Sequence, residues 1–246
     1  MKFTSNVGTM RPFINYAHRG ASEYAPENTV LSFMLGVKMG ANGIETDVQK
    51  TKDGVLVLFH DDTLERVMGQ GGSVKDYTYA ELKKFWVSGK GLFDKIVKFD
   101  DFLRQFGGLK LAIELKVEGV YKDVVDTINS FGIKDNVVLT SFIYDEVKRA
   151  KEYAPDFKVG YLTWDYSDKV IDNLLADGFY EICPIADNIE KADVDKWHSL
   201  GFNVRAWGVK NEDLMRHAYD IGVDGMTVNF PDKLVDYIAS KITTVK

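Results

Sequence analysis

The stretch Gly43-Ile44-Glu45-Thr46-Asp47-Val48-Gln49, followed by Lys50-Thr51-Lys52-Asp53-Gly54 and Val55-Leu56-Val57-Leu58-Phe59-His60, reads as two strands joined by a turn. Side chains alternate across a strand, so Glu45 and Asp47 share one face and Ile44 and Val48 the other. Two acids on a buried face repel each other and lose hydration, and a cation must offset both effects. A divalent metal with oxygen ligands does so. Asp53-Gly54 is a strong signal for a two-residue hairpin turn. With those residues as the turn, Lys52 pairs with Val55, and counting back along both strands sets Asp47 opposite His60. Cross-strand partners lie on one face. The expected turn therefore brings a carboxylate and an imidazole together.

Outward from this hairpin, short apolar runs alternate with longer helix-like stretches. The strand candidates are 15–18, 43–49, 55–60, 109–116, 137–140, 158–162, 181–184, 203–209 and 225–228. Helix candidates fall at 29–39, 121–130, 143–153, 169–177, 191–200, 212–221 and 233–242. Apolar spacings of three and four, as in Val124, Ile128 and Phe131, mark the helices. Gly40, Gly132, Gly178, Gly201 and Gly222 stand where helices should stop. Such alternation implies parallel strands with right-handed crossovers. An open doubly wound sheet usually carries a G-x-G-x-x-G turn after its first strand. Here the first strand ends in His18-Arg19-Gly20. The 246 residues suit a closed TIM (β/α)8 barrel, read as a single domain over 1–246. Between 61 and 99 the alternation fails, and the glycine- and aromatic-rich segment reads as an insertion with a short helix near 79–85. It is expected over one end of the barrel, either as a lid or specificity wall at the active end or as a structural subdomain without substrate contact.

Hydrophobic residues make up 45% and charged residues 28%, with a formal net charge of −6. That balance disfavours nucleic acid or an anionic membrane as partner. A small anionic substrate remains compatible with a local metal and a few cations. The lone cysteine, Cys183, excludes an internal disulfide and reads as a buried structural thiol. Residues 1–16 carry no leader-like apolar run, and no stretch reaches the roughly 20 apolar residues of a membrane span. A cytoplasmic protein without stable membrane insertion is expected. A homo-oligomer is left open.

Leu111-Ala112-Ile113-Glu114-Leu115-Lys116 repeats the pattern of the first strand. Glu114 and Lys116 share a face, adding a third carboxylate and an anion-binding ammonium. One such pair alone would read as an interior ion pair, but two strands of this kind together argue for a site. His18 and His60 each end a candidate strand, and because a free imidazole titrates near neutrality two such side chains can act as acid and base. Arg19 offers a planar fork for phosphate oxygens. In Pro26-Glu27-Asn28-Thr29, Asn28 or Thr29 can cap the following helix. Glu27 either approaches the metal or orients Arg19. His198 and His217 lie on helices and read as structural.

Together these motifs resemble the glycerophosphodiester phosphodiesterase family. The matching segments are Ala17-His18-Arg19-Gly20, Pro26-Glu27-Asn28-Thr29, Ile44-Glu45-Thr46-Asp47-Val48, Thr51-Lys52-Asp53-Gly54, Phe59-His60-Asp61 and Ile113-Glu114-Leu115-Lys116. The resemblance implies a TIM barrel that hydrolyses glycerophosphodiesters to sn-glycerol 3-phosphate and an alcohol. It implies metal ligation by Glu45, Asp47 and Glu114, usually of Ca2+ or Mg2+. Acid–base roles fall to His18 and His60, with His60 assigned as base and His18 as acid. Phosphate contacts fall to Arg19 and Lys116, and Trp207 in Arg205-Ala206-Trp207 would line a glycerol pocket. The chain departs from the pattern at Gly208-Val209-Lys210 and at Asn229, where an acid is typical. Both departures bear on substrate preference. The rival readings are a lysophospholipid or sphingolipid phosphodiesterase, with the aromatic insertion supplying a tail channel, and a non-catalytic binding barrel.

Overall fold

The computed structural model describes residues 12–243, so most of the leader-like reading of 1–16 lies outside the described residues. The chain begins with β1 (Ile14–His18), α1 (Val30–Lys38), β2 (Gly43–Lys50) and β3 (Leu56–Leu58). The inserted region holds α2 (Glu65–Met68), α3 (Tyr79–Leu82), β4 (Val87–Gly89) and β5 (Leu92–Asp94), and α4 (Phe99–Phe106) follows. Regular alternation then resumes with β6 (Lys110–Leu115), α5 (Tyr121–Phe131), β7 (Val137–Ser141), α6 (Tyr144–Tyr153), β8 (Lys158–Thr163) and α7 (Asp168–Ala176). It ends with β9 (Glu181–Pro184), α8 (Lys191–Ser199), β10 (Asn203–Val209), α9 (Glu212–Asp220), β11 (Gly225–Val228) and α10 (Pro231–Thr243).

Among the described residues, β1, β2, β6, β7, β8, β9, β10 and β11 pair in parallel, and β11 returns to β1. The sheet is therefore the closed (β/α)8 barrel expected from the alternation. The outward faces of the strands, including Ile44, Val48, Ile113, Leu115, Leu139, Ile182 and Val204, pack against helix residues such as Phe33, Val124, Leu174 and Trp197. The period-two reading of β2 and β6 holds: their apolar residues meet the helices, and their acids point into the barrel. Each fully buried leucine or phenylalanine here contributes about 1.5–3 kcal/mol. Thr29 caps α1, accepting from Ser32 N, while Gly132 ends α5 with φ +66°. No helix among the described residues is long and apolar enough to cross a membrane.

Two expectations need correction. The loop between β2 and β3 has three residues, not two. Thr51 N donates to Val55 O at 2.9 Å, the Thr51 hydroxyl accepts from Val55 N, and Gly54 takes φ +81°. That left-handed glycine is the mark of a three-residue hairpin loop. The register slips by one: Val48 faces Leu58, and Phe59 N donates to Asp47 O at 3.0 Å. Asp47 is thus opposite Phe59 rather than His60, and β3 is shorter than the expected 55–60.

The second correction concerns 61–106. The insertion builds a separate hydrophobic cluster, in which Leu64, Val67, Met68, Val74, Leu82, Val87 and Ile96 pack with Val57 of β3 and Phe59. Its antiparallel hairpin β4–β5, and the helix α4 that follows it, were not foreseen. Phe99, Phe102, Leu103 and Phe106 fill the inner face of α4, against Phe33 of α1. The expected helix at 79–85 is only the single turn of α3.

Candidate active site

Strand register sets the acids side by side. His18 is level with Glu45, and Asp47 with Glu114. The carboxylate oxygens of Glu45, Asp47 and Glu114 lie within 4.8 Å of one another, and all three residues are buried. Burial, with the Asp47 charge beside it, raises Glu45 to about 8, and the same two causes raise Glu114 to about 7. Burial opposes ionisation of Asp47 too, but Arg19 and Lys116 hold it well below the usual carboxylate range. Arg19 Nε lies 3.3 Å from Asp47 Oδ2. Lys116 Nζ lies 3.8 Å from Asp47 Oδ1 and 2.9 Å from Glu114 Oε1. Asp47 Oδ1 is buried with no hydrogen-bond donor among the described residues. Three clustered carboxylates, one with an orphaned oxygen, fit a hard divalent cation.

The β1–α1 loop turns sharply at Arg19, whose φ is +55°. Gly20 follows because a side chain there would collide with Ser32. Arg19 N donates to Glu45 O at 2.9 Å, and the Ser32 hydroxyl donates to Arg19 O. The turn aims the guanidinium at Asp47 and at Glu27, whose Oε1 accepts from Nη1 at 3.0 Å. That is the contact with Arg19 foreseen for Glu27. His18 Nδ1 lies 2.6 Å from Asn229 Oδ1. An amide oxygen only accepts, so the ring proton sits on Nδ1. Nε2 then carries the lone pair, 3.8 Å from Glu45 Oε2. Desolvation and the neighbouring Arg19 push the His18 imidazole down to about 3.

His60 reaches the site from beyond β3. The Gln49 amide donates to Phe59 O and Asp61 O at 3.0 and 2.8 Å and fixes that turn. Nδ1 of His60 lies 2.7 Å from Asp61 Oδ1. Asp61 is lowered to about 2, first by hydrogen bonds from Arg66, and stays anionic.

A cavity of about 270 Å³ is lined by His18, Arg19, Glu45, His60, Glu114 and Trp207 among others. Of the residues expected at the site, Glu27, Asp47 and Lys116 do not line this surface but contact groups that do, Glu27 and Asp47 through Arg19 and Lys116 through Glu114. Trp207 packs edge-on against Phe142 and Trp164, with centroids 4.9 and 5.0 Å apart. The insertion does not form the expected wall: His60, which precedes it, lines the cavity, but none of the lining residues comes from 61–99. His198 and His217 are bonded elsewhere, to Asp224 and to the Ile189 carbonyl.

Sequence reasoning missed Asn28, Arg66 and Phe142, and gave Asn229 and Arg205 no contact. Asn28 does not cap α1. It turns inward at φ +56°, donates to Asp47 Oδ2 at 2.8 Å and accepts from the Thr46 hydroxyl at 2.6 Å. Two adjacent capping residues were the available signal, since only one can serve as cap. Arg205 lies at the cavity floor, paired with Glu181 at 2.9 Å, and its Nη2 lies 3.3 Å from the buried Cys183 sulfur.

Buried acids, two histidines and two cations at the C-terminal mouth of a parallel barrel define a (β/α)8-barrel enzyme. The chain belongs to the glycerophosphoryl diester phosphodiesterase family, whose model matches residues 18–233. It is 31% identical over 235 residues to a glycerophosphodiester phosphodiesterase of Bacillus altitudinis, covering 89% of this chain and 96% of the relative. Among solved structures it is similar to an Oleispira antarctica phosphodiesterase in complex with the product sn-glycerol-3-phosphate. The TM-score is 0.82 and the identity 26%, with 92% of this chain and 96% of that chain covered. A glycerophosphodiester phosphodiesterase from Agrobacterium tumefaciens shares the fold with a TM-score of 0.81 at 24% identity, covering 91% of this chain and 99% of that chain.

Proposed function

We propose that the protein hydrolyses glycerophosphodiesters to sn-glycerol 3-phosphate and an alcohol, with Glu45, Asp47 and Glu114 holding a divalent metal, Ca2+ or Mg2+. The observation that carries this reading is the meeting of His18 and His60 on one cavity with Arg19 and two of the three carboxylates. The product bound to the Oleispira antarctica phosphodiesterase supports the same substrate class. When bound, the metal would neutralise charge on the phosphoryl oxygens.

Arg19 holds the phosphate through its planar fork, and Lys116, behind the cavity surface and paired with Glu114, adds its charge from there. His18, neutral and with a free Nε2, accepts the proton of the attacking hydroxyl, of water or of the substrate's own glycerol. His60, backed by the anionic Asp61, donates a proton to the leaving alcohol. This reverses the acid and base assigned from sequence. The reason is the pair of partners: a neutral amide behind His18 and a carboxylate behind His60. Trp207 and Phe142 offer apolar walls to the glycerol carbons. A cavity of about 270 Å³ without insertion residues suits a small polar diester better than a lysophospholipid, whose acyl chain needs a channel.

The test is release of glycerol 3-phosphate from a panel of glycerophosphodiesters, with and without chelator. Chelation should abolish release, and His18→Ala should lower kcat by about 10²–10⁴-fold while the fold is kept. Activity indifferent to chelation, or near-normal turnover by His18→Ala, overturns the reading.

A further inference from the structure

Arg66 stands on α2, in the insertion, flanked by the buried Leu64, Val67 and Met68. Its guanidinium meets two carboxylates at once. Nε and Nη2 lie 2.6 and 2.8 Å from the two oxygens of Asp61. Nη1 and Nη2 each lie 2.7 Å from an oxygen of Glu27. Each carboxylate then holds one group of the site: Asp61 Oδ1 bonds Nδ1 of His60, and Glu27 Oε1 bonds Nη1 of Arg19.

We propose that Arg66 is a positioning residue that sets His60 and Arg19 relative to each other, and so makes the insertion part of the catalytic apparatus. The inference rests on the phosphodiesterase reading above. Glu27, His60 and Asp61 offer ligand atoms within 4.8 Å of one another, and two carboxylates so close repel unless a cation joins them. The guanidinium fills that need and adds direction. Its planar fork fixes the planes of both carboxylates, which an ammonium cannot do. The Asp61 plane in turn fixes the His60 ring with Nδ1–H on the carboxylate, so that in the acid form the transferable proton sits on Nε2, facing the cavity. The Glu27 plane steadies Arg19 against the phosphate. α2 is a single turn, but the insertion core anchors both of its flanks, so Arg66 leaves a rigid base. The Arg66 side chain is 51% exposed, so solvent screens its contribution to stability. Its role is therefore geometric, and the insertion acts through this arginine rather than as a lid.

The test compares Arg66→Ala and Arg66→Lys with the parent, at saturating metal. Both variants should melt close to the parent. Both should lose kcat by about 100-fold, the scale of a misplacement near 1 Å, with little change in KM. Millimolar guanidinium chloride, below denaturing levels, should restore Arg66→Ala but not Arg66→Lys, whose ammonium blocks the gap. A merely structural role would show no such rescue. Independently of turnover, 15N spectra of the imidazoles, with His60 assigned through His60→Gln, should show Nδ1 of His60 protonated throughout in the parent, and a mixture of Nδ1–H and Nε2–H neutral tautomers in Arg66→Ala. Parental kcat in Arg66→Lys, absence of guanidinium rescue in Arg66→Ala, or an unchanged His60 tautomer overturns the proposal. A parent inert on every phosphodiester overturns the functional reading instead, and the tautomer measurement still decides the role of Arg66.

Discussion

The side-chain oxygen of Asn229 lies 2.6 Å from Nδ1 of His18, so a neutral group backs this histidine where a carboxylate backs His60. Asn229→Asp should alter the rate in a defined direction. A carboxylate at this distance favours the imidazolium and raises the His18 pKa from its depressed value of about 3, by about 1–3 on the pH scale. A base must be deprotonated to act, so the acidic limb of kcat/KM should move to higher pH. The pH profile in excess metal checks this. An unmoved limb would deny Asn229 control of His18.

Glu45 and Glu114 predict an inverse dependence of stability on pH. Glu45 and Glu114 are raised in the folded protein, to about 8 and about 7 from an ordinary 4.5. Between those values the metal-free fold binds more protons than the unfolded chain, so stability falls as pH rises through this window. Asp47 has the opposite sign, but its effect lies below its ordinary value of 3.8 and does not interfere. The metal-free protein should melt at a higher temperature at about pH 5.5 than at about pH 8. Added Ca2+ or Mg2+ should reverse the order, with proton release on binding. Calorimetry in buffers of different ionisation enthalpy measures that release. A metal-free melting temperature that rises across the same window would contradict the acid cluster.

Strand period alone brought Glu45, Asp47 and Glu114 to one interior face, because each sits on a barrel strand with an apolar outer side. His60 was harder. The residues Asp53-Gly54 suit a two-residue turn, yet the Thr51 hydroxyl bonds both Val55 N and Asp53 Oδ1 and draws in a third loop residue. A side-chain bond of this kind leaves no periodic trace. Arg66 was invisible for a related reason. Its partners Asp61 and Glu27 are 5 and 39 residues away, and a four-residue helix inside an insertion gives no pattern from which to orient a long side chain. The barrel as a whole was legible because alternation repeats; the insertion occurs once.

Asn28 separates metal affinity from backbone strain. Its amide bonds Asp47 and Thr46 from a left-handed backbone at φ +56°. Asn28→Ala should lose both bonds, adding about 1–3 kcal/mol of instability for the stranded buried groups. Metal affinity should fall by about 10–100-fold, as when a ligand's supporting partner is removed. Asn28→Gly relieves the backbone but not the bond. It should regain part of the stability and none of the affinity, as read by titration calorimetry and thermal melts. Normal affinity in both variants would remove Asn28 from the support of Asp47.

Beneath the site, Arg205 and Glu181 form an ion pair in which each side chain is 1% exposed. Asn203 Nδ2 also donates to Glu181 Oε1 at 2.8 Å, and the Arg205 guanidinium lies 5.5 Å from the Tyr16 ring centre. Removing one partner strands a buried charge. Arg205→Met should therefore destabilise the protein by about 3–5 kcal/mol, while replacing both partners with apolar residues should cost much less. Arg205 also lines the cavity floor and lowers the Glu45 pKa, so Arg205→Met should further raise that carboxyl and weaken metal binding near neutral pH. The double replacement removes the Arg205 charge as well, and should recover stability without recovering metal affinity. Urea denaturation of the single and double variants, with metal titrations on each, separates the two effects. Equal instability in single and double variants would show that Arg205 acts here through packing volume rather than charge.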